Sequence, residues 1–141
     1  MKRVSVFSDG SCKGNPGPGG WAALLVYIDQ HGRRRERELS GYEPHTTNNR
    51  MELCAAIRGL DALREPCQVD FYTDSQYVLT MAGGGQAKRN SDLVEQLRAA
   101  LHRHEVILHH VNGHSGHPEN ERVDCLARQQ AEQAKLAHSI H

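Results

Sequence analysis

Two apolar runs in this chain end alike: Val4-Ser5-Val6-Phe7-Ser8 closes on Asp9, and Val69-Asp70-Phe71-Tyr72-Thr73 closes on Asp74. A β-rich run that stops at a hydroxyl residue and an aspartate reads as a strand delivering a carboxylate from its end. The echo therefore implies two strands that present aspartates at the same sheet edge. Between them the hydrophobic period changes, and that change constrains the fold. Val4 and Val6 alternate as in a strand that stops at Asp9-Gly10, the β-rich runs 21–28 and 36–42 follow, and the links are short, which implies an antiparallel meander. Leu53, Ala56, Ile57, Leu60 and Leu63 then fall at helical spacing, with Asn49-x-x-Glu52 as a start signal related to the capping box.

The alternation of elements continues to the end of the chain. Val69 to Thr73 reads as a strand, Ser75 to Met81 and Ser91 to Leu101 as helices, and Glu105 to Val111 as a fifth strand leading into a His- and Gly-rich loop. Pro118 suits a first helical turn, after which Val123, Leu126, Ala127 and Ala134 mark the inner face of a last helix. The fold class expected is α/β: a mixed five-stranded sheet, three antiparallel strands and then two parallel, flanked by helices. At 141 residues the chain fits one domain spanning 1–141, with 136–141 as a frayed tail.

Charge excludes a simple reading. Seventeen Lys and Arg cancel seventeen Asp and Glu, so any binding of a polyanion has to come from placed groups and not from a basic field. Cys12, Cys54, Cys67 and Cys125 form no C-x-x-C pair, and no apolar segment is long enough for a signal peptide or a span, which reads as a cytoplasmic protein with reduced thiols.

Four acids carry the chemistry: Asp9, Glu52, Asp74 and Asp124. Each has an ordinary alternative: a turn former, a capping-box partner, an N-cap and a solvated helix residue respectively. Jointly these alternatives explain less, because the four elements that bear the acids converge on one end of an open α/β sheet, where ligands bind. Hard oxygen donors in that number suit two divalent ions about 3.5–4 Å apart, and without a cation their mutual repulsion is costly.

The stretches Asp9-Gly10-Ser11-Cys12, Gly14-Asn15-Pro16-Gly17-Pro18-Gly19-Gly20, Thr46-Thr47-Asn48-Asn49-Arg50-Met51-Glu52-Leu53, Thr73-Asp74-Ser75-Gln76-Tyr77-Val78 and Gly113-His114-Ser115-Gly116-His117-Pro118-Glu119-Asn120-Glu121 resemble type 1 ribonuclease H, in that family's order over almost the whole chain. The resemblance implies the ribonuclease H-like fold and endonucleolytic hydrolysis of the RNA strand of an RNA/DNA hybrid, leaving 5′-phosphate and 3′-hydroxyl ends. It implies Mg2+ or Mn2+ as cofactor, two ions per site with substrate bound, and a monomer. Asp9, Glu52, Asp74 and Asp124 match the metal-binding acids, and His114 matches a histidine that assists the leaving group or product release.

For the substrate, small polar groups near Ser11, Cys12, Gly14 and Asn15 could read 2′-hydroxyls in a wide minor groove. By resemblance Asn48, Asn49 and Gln76 lie across that groove, and Thr47 and Asn90 form a pocket for a phosphate of the DNA strand. The chain also departs from the family. Where well-known bacterial members insert a Trp- and Lys-rich handle, it has only Ala82 to Asn90; Val94 and His110 stand where tryptophan is expected, and His45 where Arg is common. Weaker binding is the implied consequence, with Lys88, Arg89 and the run Arg33-Arg34-Arg35 as the cations left to compensate. Two further function classes stay open: a non-catalytic nucleic-acid-binding module on the same scaffold, and a related nuclease domain such as that of an integrase or reverse transcriptase. A zinc site built on His109, His110, His114 and His117 is disfavoured, since the two adjacent strand histidines face opposite sides.

Overall fold

The computed structural model describes residues 1–112 and 117–140. Its elements run β1 Lys2–Cys12, β2 Gly17–Ile28, β3 Arg34–Thr46, α1 Asn48–Asp61, β4 Cys67–Thr73, α2 Gln76–Ala82, α3 Ser91–His102, β5 Glu105–His110 and α4 Pro118–Ile140. The strands form one sheet in the order β3-β2-β1-β4-β5. β1, β2 and β3 are antiparallel neighbours, whereas β4 lies parallel to β1 and β5 parallel to β4. This is the mixed five-stranded sheet expected from the periodicity.

Each sheet face is closed by different helices because β2 alternates two small or apolar sets. Ala23 and Leu25 join Val4, Val6, Val69 and Phe71 against α1, α2 and α3, while Ala22 and Leu24 pack with Val123 and Ala127 of α4. Phe71, Leu53 and Leu60 are almost wholly enclosed, each contributing about 1.5–3 kcal/mol by its removal from water. α4 approaches β2 closely, and Gly20 permits it: a Cβ there would stand 2.4 Å from the Ala127 carbonyl oxygen and the Ala131 nitrogen.

At the far end of the sheet, buried His104 ties three segments together. Its Nδ1 accepts from the Cys67 amide at 3.1 Å, which leaves the proton on Nε2, 3.2 Å from the Leu60 carbonyl. The ring thus joins the end of α1, the start of β4 and the turn before β5.

Several boundaries differ from the expected ones. β1 does not stop at Asp9-Gly10; it continues to Cys12 because Asp9, Gly10, Ser11 and Cys12 pair with Ala22, Trp21, Gly20 and Gly19. The glycine-rich stretch is accordingly strand from Gly17 onward. The cap of α1 is Thr47, whose hydroxyl accepts from the Arg50 amide, and not Asn49. Residues 136–140, expected as a frayed tail, continue α4.

Candidate active site

The cleft is organised where parallel pairing between β1 and β4 ends. The last pair is Phe7 with Tyr72, so Asp9 lies just beyond it, and Asp74 follows the end of β4 at Thr73. The start of α1 lies directly against β1 because residue 10 has no side chain: a Cβ on Gly10 would meet the Glu52 nitrogen at 2.5 Å and the Met51 carbonyl carbon at 2.6 Å. That approach sets Glu52 beside Asp9. Val123 and Ala127 bury the inner face of α4 and leave Asp124 at the cleft wall.

Asp9, Glu52, Asp74 and Asp124 line one open cleft of about 320 Å3 together with Ser11, Cys12 and Asn48. Asp9 is 6% exposed. Its carboxyl is pushed up to about 8, chiefly because burial disfavours the charge, with the charge of Asp74 and the approach of Asp124 adding to the effect and the Gly10 amide opposing it. Glu52 is also raised, again first by burial and then by Asp74, against two hydrogen bonds that favour its ionised form. Asn48 Nδ2 donates to Glu52 Oε1 at 3.0 Å and Ser75 Oγ donates to Oε2 at 2.5 Å. Ser75 also caps α2 by accepting from the Val78 amide, so one hydroxyl links the helix start to the acid. Neither capping alternative describes these acids: Glu52 bonds side chains, and the cap of α2 is Ser75 and not Asp74.

Other candidate residues divide into groups. Asn15 Oδ1 accepts from the Asn48 amide at 3.0 Å, tying the turn before β2 to the start of α1, while Cys12 Sγ lies 2.9 Å from the Gly14 carbonyl. Gly14, Asn15, Thr47 and Gln76 do not line the cleft. Asn49 and Asn90 line an adjoining depression. His114 lies outside the described residues. Three cleft residues were not singled out from sequence: Asn120, Glu121 and Arg128. Helical spacing could have found the last two, three before and four after Asp124. Arg128 Nη2 stands 3.2 Å from Asp124 Oδ2.

Among the described residues no three His, Cys, Asp or Glu side chains are gathered closely enough to hold a metal ion as they stand. The donor chemistry nevertheless suits a hard cation: four carboxylates share the cleft, and buried Asn120 contributes an Oδ1 with no hydrogen-bond partner among the described residues.

A family model for RNase H matches residues 1–132. The chain belongs to the ribonuclease H family. It is accordingly a nuclease, a hydrolase of a metal-dependent family. It is 52% identical to a ribonuclease H of Agrobacterium fabrum, covering 96% of this chain and 99% of that one, and 52% identical to one of Thermus thermophilus, covering 95% and 87%. The first alignment spans 149 positions, more than this chain has residues, so that relative contains segments this chain lacks. Among solved structures, LC9-RNase H1, described as a type 1 RNase H with the type 2 active-site motif, superposes with a TM-score of 0.82 at 31% identity over 95% of this chain and 74% of that one. LC11-RNase H1, solved in complex with an RNA/DNA hybrid, shares the fold at a TM-score of 0.73 and 24% identity over 93% and 98%.

Proposed function

We propose that this ribonuclease H cuts the RNA strand of RNA/DNA hybrids by a mechanism that uses two divalent ions, leaving 5′-phosphate and 3′-hydroxyl ends. The observation that carries this reading is the convergence of four carboxylates on one cleft beside an Asn120 oxygen that has no hydrogen-bond partner among the described residues. Asp9, Glu52, Asp74 and Asp124 would hold Mg2+, with Mn2+ as an alternative. Bound there, the ions supply a nucleophilic water at neutral pH and stabilise the leaving oxygen.

The chain's own groups prepare that chemistry. Asn48 and Ser75 fix both oxygens of Glu52, so its orientation is set before substrate arrives. Asp9 holds a proton at neutral pH when no ion is present and gives it up on loading. Ser11 and Cys12 on the cleft floor, with Gly14, Asn15 and Gln76 around it, would face the RNA minor groove. Thr47 and Asn90 would meet the DNA strand, and His114 would assist departure of the product. A monomer in the cytoplasm is part of this proposal; the four cysteines are free thiols.

The test is cleavage of a labelled RNA/DNA hybrid beside single-stranded RNA, RNA duplex and DNA duplex, with Mg2+, with Mn2+ and with chelator. Metal-dependent cutting confined to the RNA strand of the hybrid is expected. Hybrid binding without cutting at high enzyme would transfer support to a binding module.

A further inference from the structure

Three aromatic rings stand in a column across the sheet. Phe7 of β1 stacks on Tyr72 of β4 with ring centroids 4.7 Å and planes 11° apart, and Tyr72 stacks on His109 of β5 at 4.5 Å and 12°. The register brings this about, since Phe7 lies opposite Tyr72 and Tyr72 opposite His109 in parallel strands. β5 is the edge of the sheet, so the column ends on the outer face of the His109 ring. Phe7 is tucked under α4, which lies over β1, β2 and β3, whereas α2 and α3 contact β5 from the other side of the sheet. The column's own side of β5 is open: the His109 side chain is 37% exposed, and Ile107, two residues earlier on the same side, is 60% exposed.

His109 is held more firmly than a half-exposed ring on an edge strand needs to be. Tyr72 backs one face, and His109 Nε2 donates to Asp70 Oδ1 at 2.9 Å. Asp70 is fixed in turn by Arg3 Nε at 3.0 Å. A ring locked in this way loses little freedom when a flat ligand settles on its open face. The column also stands beside the acids. Asp9 lies two residues beyond Phe7 in β1, about 7 Å along the strand and on the same face, and Asp74 follows Tyr72 by the same interval.

We propose that the open face of His109 is a stacking site for an unpaired base of the RNA strand, at the point where that strand leaves the hybrid. This rests on the hybrid reading above and deepens it. The strand to be cut is the one brought to the acids, so its continuation is the nucleic acid within reach of the column. A paired base has its faces covered by its neighbours in the duplex, whereas an unpaired one can turn out onto an aromatic ring. Every base has such a face, so the site contributes affinity and orientation without sequence preference.

The experiment is anisotropy, in chelator and on the full chain, of labelled hybrids that share one duplex: blunt, with a short unpaired RNA extension at either end, and with an unpaired DNA extension of the same length. An RNA extension at one end is expected to tighten binding by about fivefold or more, the scale of one base stacked on an aromatic side chain. The DNA extension gives no such gain. His109→Ala should bind the blunt hybrid as the wild type does and lose the gain. His109→Phe, which keeps a ring but not the Asp70 contact, should retain it. Thermal unfolding of the two variants separates stacking from folding, because both lose the contact with Asp70 and only one loses the ring. No gain from RNA at either end, an equal gain from DNA, or a gain that survives His109→Ala overturns the site. Cutting of the blunt hybrid with Mg2+ is scored separately: its absence alongside a gain that depends on His109 would sink the catalytic reading and leave this site standing.

Discussion

Asp9 and Asp70 are aspartates on the neighbouring parallel strands β1 and β4, nearly equal in burial at 6% and 8% exposed. Their protonation differs sharply. His109 Nε2 lies 2.9 Å from Asp70 and Arg3 Nε 3.0 Å, and these partners hold the Asp70 carboxyl below the usual carboxylate range. Asp9 has like charges instead of cations around it and is pushed up to about 8. Burial alone does not decide what a carboxylate does: it raises both, and the contacts with His109 and Arg3 reverse it at Asp70, whereas Asp74 and Asp124 add to it at Asp9. One aspartate is satisfied by its own fold; on the function proposed above the other would take a cation from outside, which would separate structural from functional acids in one sheet.

The strongest way to break the comparison is to neutralise each acid. Asp9→Asn should lower hybrid cleavage by at least about a hundredfold, on the scale of losing one preorganised electrostatic group. The same change should raise stability in chelator at pH 8. The sign follows from linkage: between about pH 4 and 8 folded Asp9 binds a proton that the unfolded chain does not hold, so Asp9 erodes stability as pH rises through that window. Thermal unfolding of Asp9→Asn and wild type at pH 5 and pH 8 checks this; equal curves at pH 8 would argue against the raised carboxyl.

Gly10→Ala should cost on the order of 2–4 kcal/mol in denaturant unfolding, because the new methyl meets backbone of α1 that no rotamer can relieve. Metal affinity should fall with it, since Asp9 and Glu52 are moved apart. Asp70→Asn should cost about 1–2 kcal/mol at neutral pH and leave cleavage intact. Its stabilisation exists above the unfolded carboxylate pKa and is lost as pH falls through the lowered folded value, so the difference from wild type should shrink in acid.

The smallest effect concerns His104. Burial lowers its pKa against the help of the Leu60 carbonyl, so the unfolded chain takes up a proton that the folded protein refuses. Stability is full above about pH 6.5 and declines as pH falls below it. His104→Gln should flatten that decline in unfolding curves between pH 7 and 5, and an unchanged pH profile would count against the ring's buried role.

Much of this architecture could be read from residue order. The switch from alternation to helical spacing at Leu53 and the twin runs ending at Asp9 and Asp74 specify the sheet and its acid-bearing edge. Strand lengths could not be read, because pairing partners decide them: Ser11 and Cys12 are strand only through Gly20 and Gly19. Those glycines look like turn residues in sequence but are strand positions crowded by Thr46, Met51 and α4. Likewise the four acids were legible as residue types in a familiar order, whereas the lack of a partner for Asn120 Oδ1 among the described residues and the two hydrogen bonds on Glu52 are set by tertiary packing.

The most direct test is proton release on metal loading. Mg2+ titrated calorimetrically into the wild-type protein at pH 7, in buffers of different ionisation enthalpy, should displace close to one proton per loaded site, about 0.9 for a group of pKa near 8. Asp9→Asn should displace none. Metal uptake by the wild type with no proton released would contradict the claim that Asp9 is the acid kept waiting for a cation.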